Sequence, residues 1–204
     1  VRRGATAALT MHPRREEVVL LHALMKLGAT ALPLSPALTD AEREAILAAE
    51  RPAVDLNDAA GELTQTEADL PLLGEHDMDD VQCRLLTSGT TGRPRPVDLT
   101  YGNFLFSAMG SAYNMGVDPG DRWLCCLPLS HVAGLSIVMR CVIYGTTAVL
   151  LSGFDVEEVS DALTSGGITL VSLVPTQLIR LLDAGADIWQ PRAILIGGGV
   201  EQPD

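Results

Sequence analysis

The stretch LLTSGTTGRPR, residues 85–95, combines an apolar strand end with a turn rich in glycines and hydroxyl groups. Leu85 and Leu86 close a short apolar run that is typical of a buried strand. Residues 87–92 contain four Ser or Thr and two Gly, and Arg93 and Arg95 add positive charge. Glycines allow a sharp turn whose backbone N–H groups form a concave anion site, and the hydroxyls add donors. The stretch therefore predicts a phosphate-binding loop between two strands.

This loop is not a Walker A loop, which needs Gly-Lys-Ser/Thr after a first glycine and four further residues. Here Gly89 and Gly92 are three positions apart and no lysine follows them. The plain alternative is a Ser/Thr/Gly turn that joins two strands without binding a ligand. The loop alone does not decide between the two interpretations, because glycine–threonine turns are common between strands.

The composition indicates a globular α/β protein. With 204 residues, 47% hydrophobic and 20% charged, the chain can form one domain with a substantial core or two small ones. Its net charge of −12 argues against a nucleic-acid partner, which would need a basic face. The four cysteines have no C-x-x-C spacing, so we expect reduced, mostly buried thiols, no metal site and a cytoplasmic location.

The run 123–139 is apolar enough to raise the alternative of a membrane span. Pro128, His131 and Gly134 interrupt it, and Arg140 follows it directly. These residues favour a buried strand followed by a packed helix, and we expect no membrane span.

Residues 5–56 alternate short apolar runs with helical patterns. Strands are expected at 5–11, 29–34 and 53–56, with a helix after the first and a second helix that has Thr39 as its N-cap. This order predicts parallel βαβ units. Residues 57–80 are polar and acidic and are expected to form a variable connection. We therefore divide the chain into a first βαβ part, residues 1–80, and a second part, residues 81–204.

The second part contains two further motifs. An apolar strand predicted at 122–127 leads into PLSHVAG, residues 128–134, and a strand predicted at 193–196 leads into three glycines. Taken alone, His131 could be a core or helix-capping histidine, and the glycine triplet could be only a turn. Both motifs follow the candidate phosphate loop in the order of the chain.

Residues 87–97 resemble the phosphate loop of the AMP-forming acyl-CoA ligase and adenylation-domain superfamily, T-S-G-T-T-G-x-P-K-G-V. The chain differs from that pattern at Arg95, usually Lys, and at Pro96, usually Gly. Arginine keeps the charge as a planar fork, whereas proline removes a backbone donor. The resemblance implies that the phosphates of ATP are bound by Thr87, Ser88, Gly89, Thr90, Thr91, Gly92 and Arg95.

PLSHVAG is similar to the second core motif of the same superfamily, P-L-F-H-x-x-G, with Ser130 in place of Phe. The resemblance implies a catalytic role for His131 beside the adenylate. It also implies that the acyl and adenine pocket is lined by His131, Gly134, Gly197, Gly198 and Gly199.

The resemblance narrows to the o-succinylbenzoate–CoA ligase family of menaquinone biosynthesis. It rests on the runs LTYGN (99–103), GDRWL (120–124), VIYGT (142–146) and VLL (149–151). It implies layered, mostly parallel β-sheets flanked by helices, as part of the large N-terminal domain of an adenylate-forming enzyme. Arg140 becomes a candidate to bind the second carboxylate of the diacid. The alternative for Arg140 is a surface position on a helix.

The implied activity is an ATP-dependent ligation, in which a carboxylic acid forms an acyl-adenylate and the acyl group passes to CoA, with Mg²⁺ as cofactor. The family completes its site with a Tyr-Gly-x-Thr-Glu motif, a ribose-binding Asp and a C-terminal Lys, and these 204 residues contain none of them. We therefore expect part of a ligase, without the C-terminal domain and inactive alone.

Several alternatives remain open. Other enzymes of the superfamily activate other aromatic or fatty acids or load a carrier protein. A non-catalytic nucleotide-binding remnant and a doubly wound domain of another family are further alternatives. The sequence also leaves open a homo-oligomer and a second chain that completes the site.

Overall fold

The computed structural model describes residues 1–57, 72–87 and 94–198, and these residues form two compact units, Val1–Phe106 and Ser107–Asp204. In chain order the elements are β1 Thr6–Thr10, α1 Arg15–Lys26, β2 Thr30–Leu34, α2 Asp40–Glu50, β3 Val54–Asp55, β4 Val81–Thr87, β5 Arg95–Thr100, α3 Tyr101–Met115, β6 Arg122–Cys125, α4 Val132–Tyr144, β7 Thr147–Leu150, α5 Val156–Ser165, β8 Leu170–Leu173, α6 Pro175–Asp183 and β9 Ala193–Ile196.

The first unit contains a five-stranded sheet in the order β3-β1-β2-β4-β5. Its first four strands pair in parallel, and β5 pairs antiparallel with β4. Ala8, Leu32 and Leu34 form a buried cluster, against which Ile46 and Leu47 of α2 pack. The parallel βαβ units expected from the alternating pattern are therefore confirmed.

The second unit contains a four-stranded parallel sheet in the order β7-β6-β8-β9. Leu124 and Val171 from two neighbouring strands share a buried cluster with Val159 and Leu163 of α5 and with Leu181 of α6. Helices thus cover a mostly parallel sheet, as in the first unit. The predicted fold class, mostly parallel sheets flanked by helices, is confirmed.

β6 ends at Cys125, two residues before the end that the sequence predicts. Cys126 and Leu127 are buried although they belong to a loop, so their apolar character reflects burial and not strand pairing. The carbonyl groups of Leu127 and Pro128 face Gly134 of α4, and this contact turns the chain away from the sheet.

Residues 58–71 of the predicted connection lie outside the described residues, and the division at residue 80 stays a prediction.

All four cysteines are free and buried, as expected. The run 123–139 forms β6, a loop and the start of α4, as expected. Over residues 1–57, 72–87 and 94–198, no helix is both long and apolar enough to cross a membrane.

Candidate functional site

The candidate phosphate loop joins β4 to β5 in the first unit. Thr87 ends β4 and pairs across the ladder with Arg95, the first residue of β5. The Thr87 hydroxyl donates to the Arg95 carbonyl at 3.2 Å, and both side chains are exposed. The structure therefore brings together the two ends of the predicted loop. Its middle, Ser88, Gly89, Thr90, Thr91 and Gly92, lies outside the described residues.

An ion-pair network holds the two strands that lead into this loop. Arg84 on β4 lies opposite Asp98 on β5, and its Nε and Nη2 donate to the two carboxylate oxygens at 2.6 and 2.8 Å. Its Nη1 reaches Glu50 at the end of α2 at 3.3 Å. The hydrogen bonds from Arg84 lower the pKa of Asp98. Sequence reasoning missed this network, since the two residues become neighbours only once the strand register is known.

In the second unit, the carboxyl ends of β6 and β8 mark the position where open parallel sheets of this kind bind ligands. Leu124 on β6 packs with α5 and α6, whereas the Cys125 thiol contacts the Gly134 carbonyl of α4 at 3.9 Å on the other face. The chain thus leaves β6 toward one face and leaves β8 toward the other. Such a reversal opens a crevice at the carboxyl edge of the sheet.

The loop after β6 carries His131 to this edge. A Cβ on Gly134 would lie 2.4 Å from the Pro128 carbonyl oxygen and 2.7 Å from that of Leu127, so the loop can fold onto α4 only because residue 134 is glycine. His131 is the N-cap residue of α4, but its side chain makes no capping hydrogen bond and is exposed. His131 is therefore neither a core histidine nor a side-chain cap. The neighbouring Ser130 hydroxyl is buried and has no hydrogen-bond partner among the described residues.

The glycines after β9 reach the same edge of the sheet. Gly198 has φ +78°, in the left-handed region that favours glycine, and its missing Cβ would lie 3.4 Å from Val174 at the start of α6. A Cβ on Gly197 would meet nothing within 4 Å among the described residues. The structure thus brings two of the three predicted glycines to the carboxyl edge of this sheet, and Gly199 lies outside the described residues.

Arg140 lies on α4, nine positions after His131, or roughly 13 Å further along the helix axis. Its Nη2 donates to the Ser107 hydroxyl at 3.1 Å, and its guanidinium carbon lies 5.6 Å from the centre of the Trp123 ring. Its Nε is buried without a partner, and among the described residues no carboxylate lies within 4 Å of its guanidinium. Burial lowers the pKa of Arg140.

Arg140 is therefore not the surface arginine of the alternative interpretation. It is a half-buried cation that has only neutral partners in the described part of the chain. Sequence reasoning singled out Arg140 but missed its two contacts, Trp123 and Ser107, and missed Ser172, whose hydroxyl accepts from the Trp123 indole. The run GDRWL contains Trp123, but only packing between α4 and the sheet shows which residue its ring contacts.

The comparisons with known proteins agree with this architecture. The family described as AMP-binding enzyme matches residues 1–203. A 2-succinylbenzoate–CoA ligase of Bacillus pumilus is 38% identical over 216 residues, which are 98% of this chain and 44% of that protein. A ligase of the same name from Listeria monocytogenes is 37% identical over 213 residues, 98% of this chain and 46% of that protein.

Solved structures of related enzymes have the same fold as this chain. The o-succinylbenzoate CoA synthetase of Bacillus subtilis, in complex with its acyl-adenylate OSB-AMP, superposes with a TM-score of 0.89 at 35% identity, over 98% of this chain and 45% of that chain. The same enzyme with ATP and magnesium ion gives a TM-score of 0.87 at 34% identity, over 98% and 46%. The chain spans less than half the length of these relatives. The matched fold and sequence show that the chain belongs to the AMP-binding enzyme family.

Proposed function

We propose that the chain is part of an AMP-forming ligase that activates o-succinylbenzoate through an acyl-adenylate and transfers the acyl group to CoA. The observation that carries this proposal is the environment of Arg140. A half-buried guanidinium without a carboxylate partner is suited to bind an anion, because burial weakens its solvation and strengthens the attraction of an opposite charge. The names of the related ligases support the choice of substrate.

In this proposal Arg140 binds the carboxylate of the diacid that is not activated. The planar guanidinium can donate two parallel hydrogen bonds to a carboxylate, which fixes orientation as well as charge. A monoacid would leave the cation without its counter-ion. The preference for a diacid over a monoacid therefore depends on this one side chain.

The phosphates of ATP are assigned to Thr87, Ser88, Gly89, Thr90, Thr91, Gly92 and Arg95. Support comes from the glycine- and hydroxyl-rich sequence and from the position of Thr87 and Arg95 at the two ends of the loop. Attack of a carboxylate oxygen on the α-phosphate requires positioning and charge neutralisation more than proton transfer. Arg95 supplies one of the positive charges.

The contacts with the acyl group and the adenine are assigned to residues of the second unit, His131, Gly134, Gly197, Gly198 and Gly199. His131 is exposed at the carboxyl edge of the sheet, so it can contact a bound adenylate. Gly134 lets the loop that carries His131 pack closely against α4. The absence of a side chain at Gly197 leaves space at the same edge of the sheet.

Bound Mg²⁺ would neutralise phosphate charge in this reaction. The described residues contain no group of three His, Cys, Asp or Glu side chains that could hold a metal ion, so they do not fit such a site by themselves. No step of the proposed mechanism is assigned to the metal. CoA enters the proposal as the acyl acceptor. The free, buried thiols support a reducing, cytoplasmic location.

The test is an Arg140→Ala substitution in a completed enzyme, in which segments of the Bacillus subtilis ligase outside the matched region are joined to this chain. Loss of charge-assisted hydrogen bonds should lower kcat/KM for the diacid about 10- to 100-fold. The value for a monoacid analogue should change little. Arg180 is a matched control, since its guanidinium also lies over an aromatic ring, that of Phe154, at 5.1 Å. An unchanged KM for o-succinylbenzoate in the Arg140→Ala enzyme would refute the assignment.

A further inference from the structure

The Trp123 indole is fixed in the second unit by burial and by one hydrogen bond. Its side chain is almost fully buried, and its Nε1–H donates to the Ser172 hydroxyl at 3.1 Å. Trp123 lies on β6 and Ser172 lies on β8, its parallel neighbour in the sheet. Because the hydrogen bond joins two adjacent strands, the ring cannot rotate without losing a buried hydrogen bond.

Arg140 is held against this ring. Its guanidinium carbon lies 5.6 Å from the ring centre, within the distance at which a cation is attracted by an aromatic face. The second contact is with the Ser107 hydroxyl at 3.1 Å. A long arginine side chain has many rotamers, and these two neutral contacts select one of them. Among the described residues, they leave the charge of Arg140 without a carboxylate partner.

We propose that Trp123, locked by Ser172, is a positioning residue that fixes the Arg140 guanidinium for the second carboxylate of the substrate. This inference rests on the proposed function of Arg140. Trp123 itself touches no reacting atom, and it acts through Arg140. Ser172 acts one contact further away, because its hydroxyl sets the plane of the ring.

The experiment compares two substrates in the completed enzyme. o-Succinylbenzoate has two carboxylates. Two analogues are tested, each of which lacks one of these carboxylates. The analogue that the enzyme still activates serves as the matched monoacid. Ser172→Ala and Trp123→Phe should each lower the ratio of kcat/KM for diacid over monoacid about 3- to 30-fold. The effect should appear in KM for the diacid, and kcat/KM for the monoacid should stay within about twofold of wild type.

Two variants serve as controls. Ser172→Thr keeps the hydroxyl that accepts from the indole, so it should restore most of the preference for the diacid. Trp189→Phe is a matched tryptophan change at a site that is 84% exposed, and it should leave the ratio unchanged. Thermal melts of each variant show whether the sheet itself is weakened.

A double-mutant cycle separates this inference from the function on which it rests. In an Arg140→Ala background, Ser172→Ala should change the ratio no further. If Arg140→Ala lowers the ratio but Ser172→Ala lowers both substrates equally, the positioning role is wrong and the role of Arg140 stands. If Arg140→Ala leaves the ratio unchanged, the proposed diacid site fails and the positioning role fails with it.

Discussion

Gly134 shows how the absence of one side chain shapes the loop that carries His131. The carbonyl oxygens of Leu127 and Pro128 occupy the space that a Cβ would need, at 2.7 and 2.4 Å. Real Cβ atoms do not approach oxygens this closely, so any larger residue must displace the loop backbone. The position of His131 at the edge of the sheet depends on this close approach.

We predict that Gly134→Ala destabilises the second unit by about 1–3 kcal/mol, because the loop must move away from α4. Urea denaturation measures this change. The matched control is Gly110→Ala in α3, where a Cβ would meet nothing within 4 Å among the described residues. That change should be neutral or stabilising by about 0.5–1 kcal/mol. Equal effects of the two substitutions would contradict the close-packing argument.

Asp121 connects three segments of the second unit through one buried carboxylate. It accepts hydrogen bonds from Arg192 Nε at 2.9 Å, from the Thr169 hydroxyl at 2.7 Å and from the Asp118 backbone N–H at 2.9 Å. Arg192 also donates to the carbonyls of Met115 and Gly116. The hydrogen bonds from Arg192 are the largest cause of a strong lowering of the Asp121 pKa.

This lowering predicts a loss of stability in acid. The stabilisation is fully present above the unfolded pKa of an aspartate, about 3.9, and is lost as the pH falls through the folded pKa. Asp121→Asn should lower the free energy of unfolding by about 3 kcal/mol at pH 7. This value is at the low end for a broken buried ion pair, because the Arg192 side chain is one-third exposed. The difference in unfolding free energy between Asp121→Asn and wild type should shrink below about pH 4. Asp161→Asn, at an exposed carboxylate, is the control and should cost much less stability at pH 7, and urea denaturation over a series of pH values compares the two variants.

Among the elements, α2 is the one whose stability depends most clearly on its N-terminal cap. It has no fully buried residue, and at its start the Thr39 hydroxyl accepts from the Glu42 N–H at 3.3 Å while Glu42 accepts from the Thr39 N–H at 2.9 Å. The sequence signal, Thr followed three positions later by Glu, predicted this N-cap correctly. A helix with few buried contacts gains a larger share of its stability from such a cap.

We predict that Thr39→Ala increases the hydrogen-exchange rates of the α2 amides roughly fivefold, the effect of losing an N-cap worth about 1 kcal/mol. Amides of α4, in the other unit, serve as the internal reference. Thr39→Ser keeps the hydroxyl and should exchange like wild type. If α2 exchanged no faster in Thr39→Ala, packing alone would stabilise the helix.

The elements that followed from the sequence are those whose signals are local. Helix caps, prolines, short apolar runs and helical spacing of apolar residues predicted the strands and helices of both units. The end of β6 was misplaced because Cys126 and Leu127 are buried without strand pairing. Cys126 belongs to the core cluster of the second unit, and the Leu127 carbonyl faces Gly134. The pairing of Arg84 with Asp98 was missed because it depends on strand register.

At the scale of the whole molecule, the sequence predicted the fold class but not the packing around the candidate site residues. The parallel order of strands follows from βαβ units, whereas the two separate sheets, β3-β1-β2-β4-β5 and β7-β6-β8-β9, do not. Arg140 was identified by resemblance. Its burial, its stacking on Trp123 and the absence of a carboxylate partner in the described chain required the structure.

The most direct test of the account is product formation by the completed enzyme. AMP and thioester are measured with ATP, Mg²⁺ and CoA, using o-succinylbenzoate, its two monoacid analogues and a panel of fatty and aromatic acids. We expect both products with o-succinylbenzoate and a strong preference for this acid that disappears in Arg140→Ala. A folded, completed protein that forms no AMP with the diacid, or that prefers a monoacid, would contradict it.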